Sequence, residues 1–487
     1  MVLWLLLTLS PFVALPQNPS TDSSTQKRLR SGDLDEQINQ MMDDVGVPGM
    51  SLAIIENNQV VFAKGYGNRK GNKKVNKRTM FNGGSLSKSY LVFVTHQLAD
   101  EGKLDLDRPM YEYLPNDRLN HDERYKLITP RMVMSHSSGL ENWAKSYYHR
   151  DTLDILSDPG KEYIYSGEGY NYLASVIKKI LGQSYEEYIT ERVVKTLKLK
   201  TTRLKFKNIY QKFSLRHPTP IYKISTKNHT FGHSVLGQER EVYFNTYTNP
   251  AAGNHFSAED YAKLIIATFD GKRLSEKQLM NILEPEIWVR NSVYYGPGFE
   301  VAIHNGDTLV AHGGDDQGHK NYFFYSVKKK RGFVFLTNSD RGLLMTSRLN
   351  ELTIGMDLTP FLKSFYFSGQ YPSATTRLLK AYDNSDAETM FQQLQELSEE
   401  GKADINTLNT LAFLLGGRNK EVTKSIVEMA IELYPESSTA YALNGRLHMR
   451  NKNYGLAYEN LSKAKELNFA IWRIKEDLEK CENTLNN

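Results

Sequence analysis

Two groups of strand-like runs, one near residue 50 and one near residue 320, constrain the fold of this chain more than any other feature. Met50-Ser51-Leu52-Ala53-Ile54-Ile55 and Val60-Val61-Phe62-Ala63-Lys64 flank Asn57-Asn58, the pattern of a β-hairpin. Far along the chain come Thr308-Leu309-Val310-Ala311, Tyr322-Phe323-Phe324-Tyr325-Ser326-Val327 and Gly332-Phe333-Val334-Phe335-Leu336, with turn signals between them. Runs rich in β-branched and aromatic residues suit a pleated, buried surface. One sheet can combine both groups, and the middle of the chain then supplies helices.

The helical signals fit that division. Asp33, with Glu36 three residues on, reads as a cap for a helix in which Leu34, Ile38, Met41, Met42 and Val45 recur at helical spacing. Val47-Pro48-Gly49 ends it. Gly65-Tyr66-Gly67 lacks the spacing and the following helix of a phosphate loop and reads as a turn. Thr129-Pro130-Arg131 offers a cap and a proline at the first helical position. Pro159-Gly160 breaks the chain before Tyr163-Ile164-Tyr165-Ser166-Gly167, and a helix with Leu173, Val176, Ile177 and Ile180 along one side follows. Phe256-Ser257-Ala258-Glu259-Asp260 opens a further helix by the same capping logic. Residues 200–250 are Lys- and Tyr-rich with weak periodicity and yield no assignment.

From about Ala381 the composition turns helical. Counting from Ser438 as position one, Gly445 stands at eight, Ala457 at twenty and Ala464 at twenty-seven. Those are the small residues that two close-packed helices of a tetratricopeptide repeat need. The block before it, Leu408 to Pro435, fits the same unit with a one-residue slip. Two units bury little alone, so they must lean on flanking helices or on the first domain. The expected organisation is a hydrophobic segment at 1–16, a polar linker at 17–32, a first domain at 33–355, a helical connector at 356–403 and repeats at 404–487.

Composition excludes some partners. Over 487 residues the net charge is only +5, which gives no argument for nucleic acid, and none is expected as a partner. The single cysteine, Cys481, allows no internal disulfide and no cysteine-based metal site. Met1 to Leu15 are nearly all apolar, too short for a comfortable membrane span and similar to a secretory h-region. The expected setting is secreted or periplasmic, with a membrane tether through this segment as the alternative.

Chemistry points to Phe81-Asn82-Gly83-Gly84-Ser85-Leu86-Ser87-Lys88-Ser89-Tyr90, just before the apolar Leu91-Val92-Phe93-Val94. Glycines, a serine and then an apolar run read as a loop turning into a buried helix. A lysine three residues after the serine lies one turn on, over the same face. Apolar surroundings lower a lysine's pKa and let it act as a base, and a serine hydroxyl needs such a base to become a nucleophile. Ser-x-x-Lys also starts at Ser24, Ser175, Ser326 and Ser462, but only the Ser85 copy has a glycine approach and a buried helix. An acylated serine further needs a proton relay and oxyanion donors. Tyr165, between the Pro-Gly break and a helix, and His312-Gly313-Gly314, after an apolar strand, are the candidates. His136 and His96 read as packing histidines, and His319 as a strand-end histidine near the cleft.

Taken together these residues resemble the serine β-lactamase and penicillin-binding protein superfamily, in its class C-related branch, over roughly residues 33–355. Val47 to Ile54 looks like the family's first strand. Ser85-Leu86-Ser87-Lys88 matches Ser-x-x-Lys, and Thr129 through His136-Ser137-Ser138-Gly139-Leu140 matches its Thr-helix-His-x-Ser-Gly-Leu stretch. Tyr165-Ser166-Gly167 aligns with Tyr-x-Asn, and His312-Gly313-Gly314 with the Lys-Thr-Gly or His-x-Gly strand. Gly253, Ser257 and Asp260 fit a family helix start. The resemblance implies an α+β fold: an antiparallel sheet flanked by helices plus an all-helical subdomain, followed here by the all-α repeats. It implies Ser85 as nucleophile, Lys88 and Tyr165 as shared acid and base, and His312 as an electrostatic lining. The backbone N–H groups of Ser85 and Asp315 would form the oxyanion hole, and no metal or cofactor is needed.

Two departures stand out. Gly167 replaces the asparagine that would contact substrate, and neutral His312 replaces a lysine suited to a carboxylate. Both point away from an efficient β-lactamase and toward an esterase or a peptidase of unusual substrates. The expected substrates are small esters, amides, β-lactams or D-amino-acid peptides. The alternatives are a cell-wall D-peptidase or β-lactamase, or a weakly catalytic binding protein whose repeats recruit a protein partner.

Overall fold

The computed structural model describes residues 32–144, 152–205, 208–214, 217–224, 227–240, 248–362, 374–416, 419–468 and 474–485. The apolar segment at 1–16 and the linker up to residue 31 lie outside the described residues. Helix α1 (Gly32–Val45) begins one residue before the expected cap, so Asp33 sits inside its first turn, where acidic groups meet the helix dipole favourably. Leu34, Ile38, Met41, Met42 and Val45 are all buried, the stripe that their spacing predicts. Gly46 leaves the helix in the left-handed region, with φ +75°.

Strands β1 (Gly49–Glu56) and β2 (Gln59–Lys70) form the expected hairpin. Asn57 and Asn58 both take positive φ, 50° and 58°, as a two-residue turn matched to strand twist requires. Then come β3 (Lys73–Lys74), β4 (Phe81–Asn82), α2 (Lys88–Asp100), α3 (Pro130–Met134), α4 (Gly167–Leu181) and α5 (Tyr185–Ile189). Residues 208–224, which the sequence left unassigned, hold the hairpin β5 (Asn208–Ser214) and β6 (His217–Ile224). Next are β7 (His255–Phe256), α6 (Ala258–Phe269) and α7 (Glu276–Leu283). The caps behave as read: Thr129 accepts from Met132 N–H and Ser257 from Asp260 N–H.

The second group of strands is β8 (Ile287–Arg290), β9 (Val293–Tyr295), β10 (Glu300–His304), β11 (Asp307–Asp316), β12 (His319–Ser326) and β13 (Arg331–Thr337). With the first hairpin they make one nine-stranded sheet, ordered β3-β2-β1-β13-β12-β11-β10-β9-β8, whose described pairings are all antiparallel. β1 lies directly against β13, with Met50 opposite Thr337. Both faces are covered. Met50, Leu52, Ile54, Phe333 and Phe335 pack with α1 and with α8 (Thr346–Leu352) and α9 (Thr359–Leu362). Ala53, Val310, Phe323 and Val334 face α2, α4 and α6. His312-Gly313-Gly314 lies inside β11, which runs on past the apolar run predicted at 308–311.

The C-terminal region is helical: α10 (Ala374–Asn384), α11 (Ala387–Glu399), α12 (Ile405–Leu415), α13 (Lys420–Leu433), α14 (Ser438–Arg450), α15 (Tyr454–Leu467) and α16 (Ile474–Leu485). A Cβ on Gly445 would lie 2.6 Å from Leu461 Cγ and 3.1 Å from the Ala457 carbonyl oxygen, so α14 and α15 approach closely there. Val235 joins the core of α10 to α13. Beside it, Arg341 is buried at 3% exposure and donates to the Val235 carbonyl at 2.6 Å. Its two terminal nitrogens meet the Asp383 carboxylate of α10 at 2.6 and 2.8 Å. A bidentate pair of this kind fixes geometry, and losing its acid leaves a buried charge unpaired. Asp383→Ala is therefore expected to destabilise the protein by up to roughly 3–5 kcal/mol, read as a lower urea midpoint. An unchanged midpoint would show that α10 is held without Arg341.

Candidate active site

Strand β4 delivers the chain to Gly83 and Gly84. Gly84 has φ +50°, and a Cβ there would lie 2.9 Å from the backbone nitrogen of Asp315. A Cβ on Gly314 would strike the Gly83 carbonyl and sit 2.9 Å from Leu86 Cγ. Strand β11 and the Ser85 turn thus meet backbone to backbone, and glycine is required on both walls. Asn82 holds the turn: its Oδ1 accepts from Gly84 N–H at 3.0 Å and its Nδ2 donates to Asp316 at 2.6 Å. Residues Gly84–Ser87 form a tight 3₁₀ turn and the α-helix proper begins at Lys88. The serine therefore sits just ahead of the helix, one step earlier than the sequence pattern suggested.

Lys88 is fully buried. Its Nζ donates to Ser85 Oγ at 3.2 Å and to the Ala251 carbonyl at 2.8 Å. The rings of Tyr165 and Tyr170 lie 4.7 and 5.3 Å from Nζ. Burial, without an acidic partner to offset it, brings the Lys88 pKa down to about 7. A large share of Lys88 is then a neutral amine near pH 7, able to accept a proton.

Tyr165 is half-buried and hydrogen-bonds Ser85. Burial pushes its phenol well above the usual tyrosine range, while the bond from Ser85 works the other way. Its ring stacks on His136 at a centroid distance of 4.0 Å. His136 turns the chain with φ +56°, and its Nδ1 accepts from Ser166 N–H at 3.1 Å. It is thus a positioning residue for Tyr165 rather than only a packing one. The sequence signal was present in the His-Ser-Ser-Gly-Leu run but gave the ring no partner.

His312 is buried at 3% exposure on β11, between the rings of Tyr295 and Phe299. Burial first, and then repulsion from Lys88, hold its pKa down to about 4, so it is neutral at pH 7. Its Nδ1 lies 2.6 Å from the Gly313 carbonyl. Gly313 itself faces the Tyr322 ring, with a Cβ position 2.6 Å from it. Asp315 brings its backbone to the Ser85 turn, while its side chain is largely exposed and pairs with Lys320. Gly167 opens α4 two residues after Tyr165, and the indole of Trp143 covers it. Trp143 was not singled out by the sequence, because it stands outside every motif.

Other histidines line the back of the turn. His319 is buried, with Nε2 2.9 Å from Thr230 Oγ1 and its ring edge-on to Phe81. His229 and His255 meet edge-on at 5.5 Å. Burial lowers the pKa of His319 to about 4 and of the other two to about 3. His96 is a core residue bonded to Gln278 and the Pro297 carbonyl. Among the described residues no group of acidic, histidine or cysteine side chains could hold a metal ion.

The beta-lactamase family profile matches residues 34–352 of the chain. Protein flp of Staphylococcus aureus is 27% identical over 314 residues, which cover 60% of this chain and 60% of that protein's own length. Among solved structures, an octameric penicillin-binding protein homologue from Pyrococcus abyssi matches with a TM-score of 0.55 and 24% identity, covering 72% of this chain and 81% of the other. A class C beta-lactamase matches with a TM-score of 0.56 and 18% identity, covering 70% and 98%. These likenesses show the same fold: an antiparallel sheet with helices on both faces. With its sheet, its flanking helices and more than half its length matched, the chain belongs to the beta-lactamase family of fold-related serine hydrolases.

Proposed function

We propose that this protein is a secreted serine hydrolase that cleaves esters or amides through an acyl-enzyme on Ser85. The observation that carries the reading is Lys88, a buried amine with a pKa near 7 placed 3.2 Å from the Ser85 hydroxyl. In this reading neutral Lys88 takes the Ser85 proton as Oγ attacks the substrate carbonyl. The tetrahedral oxygen is met by the backbone N–H groups of Ser85 and Asp315, which the contacts of Gly84 with Asp315 and of Gly314 with Gly83 bring together. Tyr165, kept protonated by burial and bonded to Ser85, donates to the leaving group as the C–O or C–N bond breaks and is reprotonated from Lys88. Water then enters the vacated place and attacks the acyl carbon while its proton passes to the same pair. The C–Oγ bond breaks, the pair returns that proton to Ser85 Oγ, and the acid leaves.

The neutral, buried His312 supports substrates without a carboxylate over penicillins and D-Ala-terminated peptides. The close approach of α14 and α15 at Gly445 supports a tetratricopeptide-like role for residues 404–487, as a docking site for a protein partner. The secretory reading rests on residues 1–16, which lie outside the described residues.

Ser85→Ala is expected to lower kcat for a small neutral ester by roughly 10⁴–10⁶-fold with the circular dichroism spectrum retained. A fluorophosphonate probe should add its mass to the wild type and not to this variant. Turnover surviving in Ser85→Ala overturns the assignment.

The active form of Lys88 is the deprotonated one, so kcat/KM should rise with pH through about 7 and then level off. A permanent cation at position 312 would repel the ammonium further. His312→Lys should therefore move that limb to lower pH and raise kcat/KM for carboxylate-bearing substrates relative to a neutral ester. The pH profile of kcat/KM, measured for a neutral ester and a cephalosporin, checks both. A limb that stays in place means that residue 312 does not act on Lys88.

A further inference from the structure

Gly167 leaves a gap beside Tyr165 that another part of the chain fills. A Cβ built on Gly167 would lie 2.7 Å from both Cζ2 and Cζ3 of Trp143, closer than real atoms approach. The six-membered edge of the indole thus rests on bare backbone, and no larger residue fits at 167 while it stays there. The rest of the ring is open: Trp143 is 44% exposed.

That exposed ring is held from both sides. The Asn142 carbonyl accepts from the N–H groups of Gly167 and Glu168 at 3.0 and 3.1 Å, and Asn142 Oδ1 accepts from Gly167 N–H at 2.9 Å. On the far side, Ala144 N–H donates to the Glu168 carboxylate at 3.3 Å, and the same carboxylate pairs with Arg118 at 3.2 Å. Ser166 caps the helix between them and donates to the Glu141 carbonyl at 2.9 Å. Bonds from Glu141, Asn142 and Ala144 to the start of α4 therefore hold the backbone on both sides of a partly exposed tryptophan, whose ring lies on Gly167, two residues after the phenol that bonds Ser85. A large flat apolar surface kept in place and wet is well suited to stacking against a ligand.

We infer that Trp143 is a specificity-determining wall of the site. It stacks against the uncharged aryl or alkyl portion of an ester substrate lying beside Tyr165. The inference rests on the proposed hydrolase reading of Ser85 for its substrate class. It adds that selectivity on this side is set by apolar contact in place of an amide hydrogen bond.

The test compares two esters of one leaving group, a phenylacetyl and an acetyl ester, in wild type, Trp143→Ala and Gly167→Ala. The expected result is a fall of about tenfold in the phenylacetyl-to-acetyl ratio of kcat/KM in both variants, because a methyl at 167 displaces the indole that Trp143→Ala removes. An unchanged ratio overturns the inference. A second measurement does not depend on turnover. Phenylacetyl ester added to Ser85→Ala should quench tryptophan fluorescence, and most of that quenching should vanish in Ser85→Ala/Trp143→Phe. Equal quenching in the two overturns the wall at Trp143. A protein that hydrolyses neither ester but shows the Trp143-dependent quenching supports the wall and overturns the hydrolase reading instead.

Discussion

The hydrogen bond from Lys88 to Ser85 depends on two backbones touching where side chains normally keep them apart. Gly84 lies against Asp315, and Gly314 against Gly83. That contact puts the Ser85 turn on the edge of β11 and closes off water from the amine behind it. Burying a lysine is costly to its charged form, and in the proposed reaction that cost is what makes Lys88 a base. Tyr165 and Tyr170 cover another side, and the Ala251 carbonyl accepts from the amine and orients it. A methyl group at 84 or 314 would lift the strand from the turn and let solvent reach Lys88. Its pKa would then climb back toward that of an ordinary lysine.

The site is also a product of topology. Ser85 follows the first hairpin, whereas His312 and Asp315 lie on one strand, β11, more than 220 residues later. They meet because β1 pairs with β13, and β12 and β11 follow in order. Nothing local holds the two halves together. Long-range antiparallel pairing of this kind forms slowly, since the loop it closes must be ordered first. The geometry of the candidate site is therefore complete only when the whole sheet is.

Much of this was legible in the chain itself. Spacing located α1, the Asn57-Asn58 hairpin, the strands of the second group, and the helix starts at Thr129 and Ser257. These signals are local: periodicity and caps need only neighbouring residues. What escaped was non-local. The β5–β6 hairpin carries Lys and Tyr with no clean alternation, so period gave nothing to read. His136 looks like a helix-end histidine until its ring is seen on Tyr165, 29 residues away in sequence. Trp143 matters only because Gly167 lacks a side chain, a relation between two positions that no single-position motif records. The start of α2 at Lys88 rather than at Ser85 reflects the glycine-rich approach, which tightens into a 3₁₀ turn before the helix relaxes.

The histidines gathered around the turn give the fold a chemical sensitivity of its own. His96, His136, His229, His255, His312 and His319 are all buried with pKa values pressed below the ordinary imidazole range. Each stays neutral in the native interior at a pH where the same ring in an unfolded chain would already hold a proton. Between about pH 6.5 and pH 4 the unfolded chain therefore binds more protons than the folded one, and native stability falls as acid is added across that range. The interior holds latent proton acceptors that are exposed only when the fold opens, and His312, His319 and His136 among them stand on the strands and rings beside the Ser85 turn.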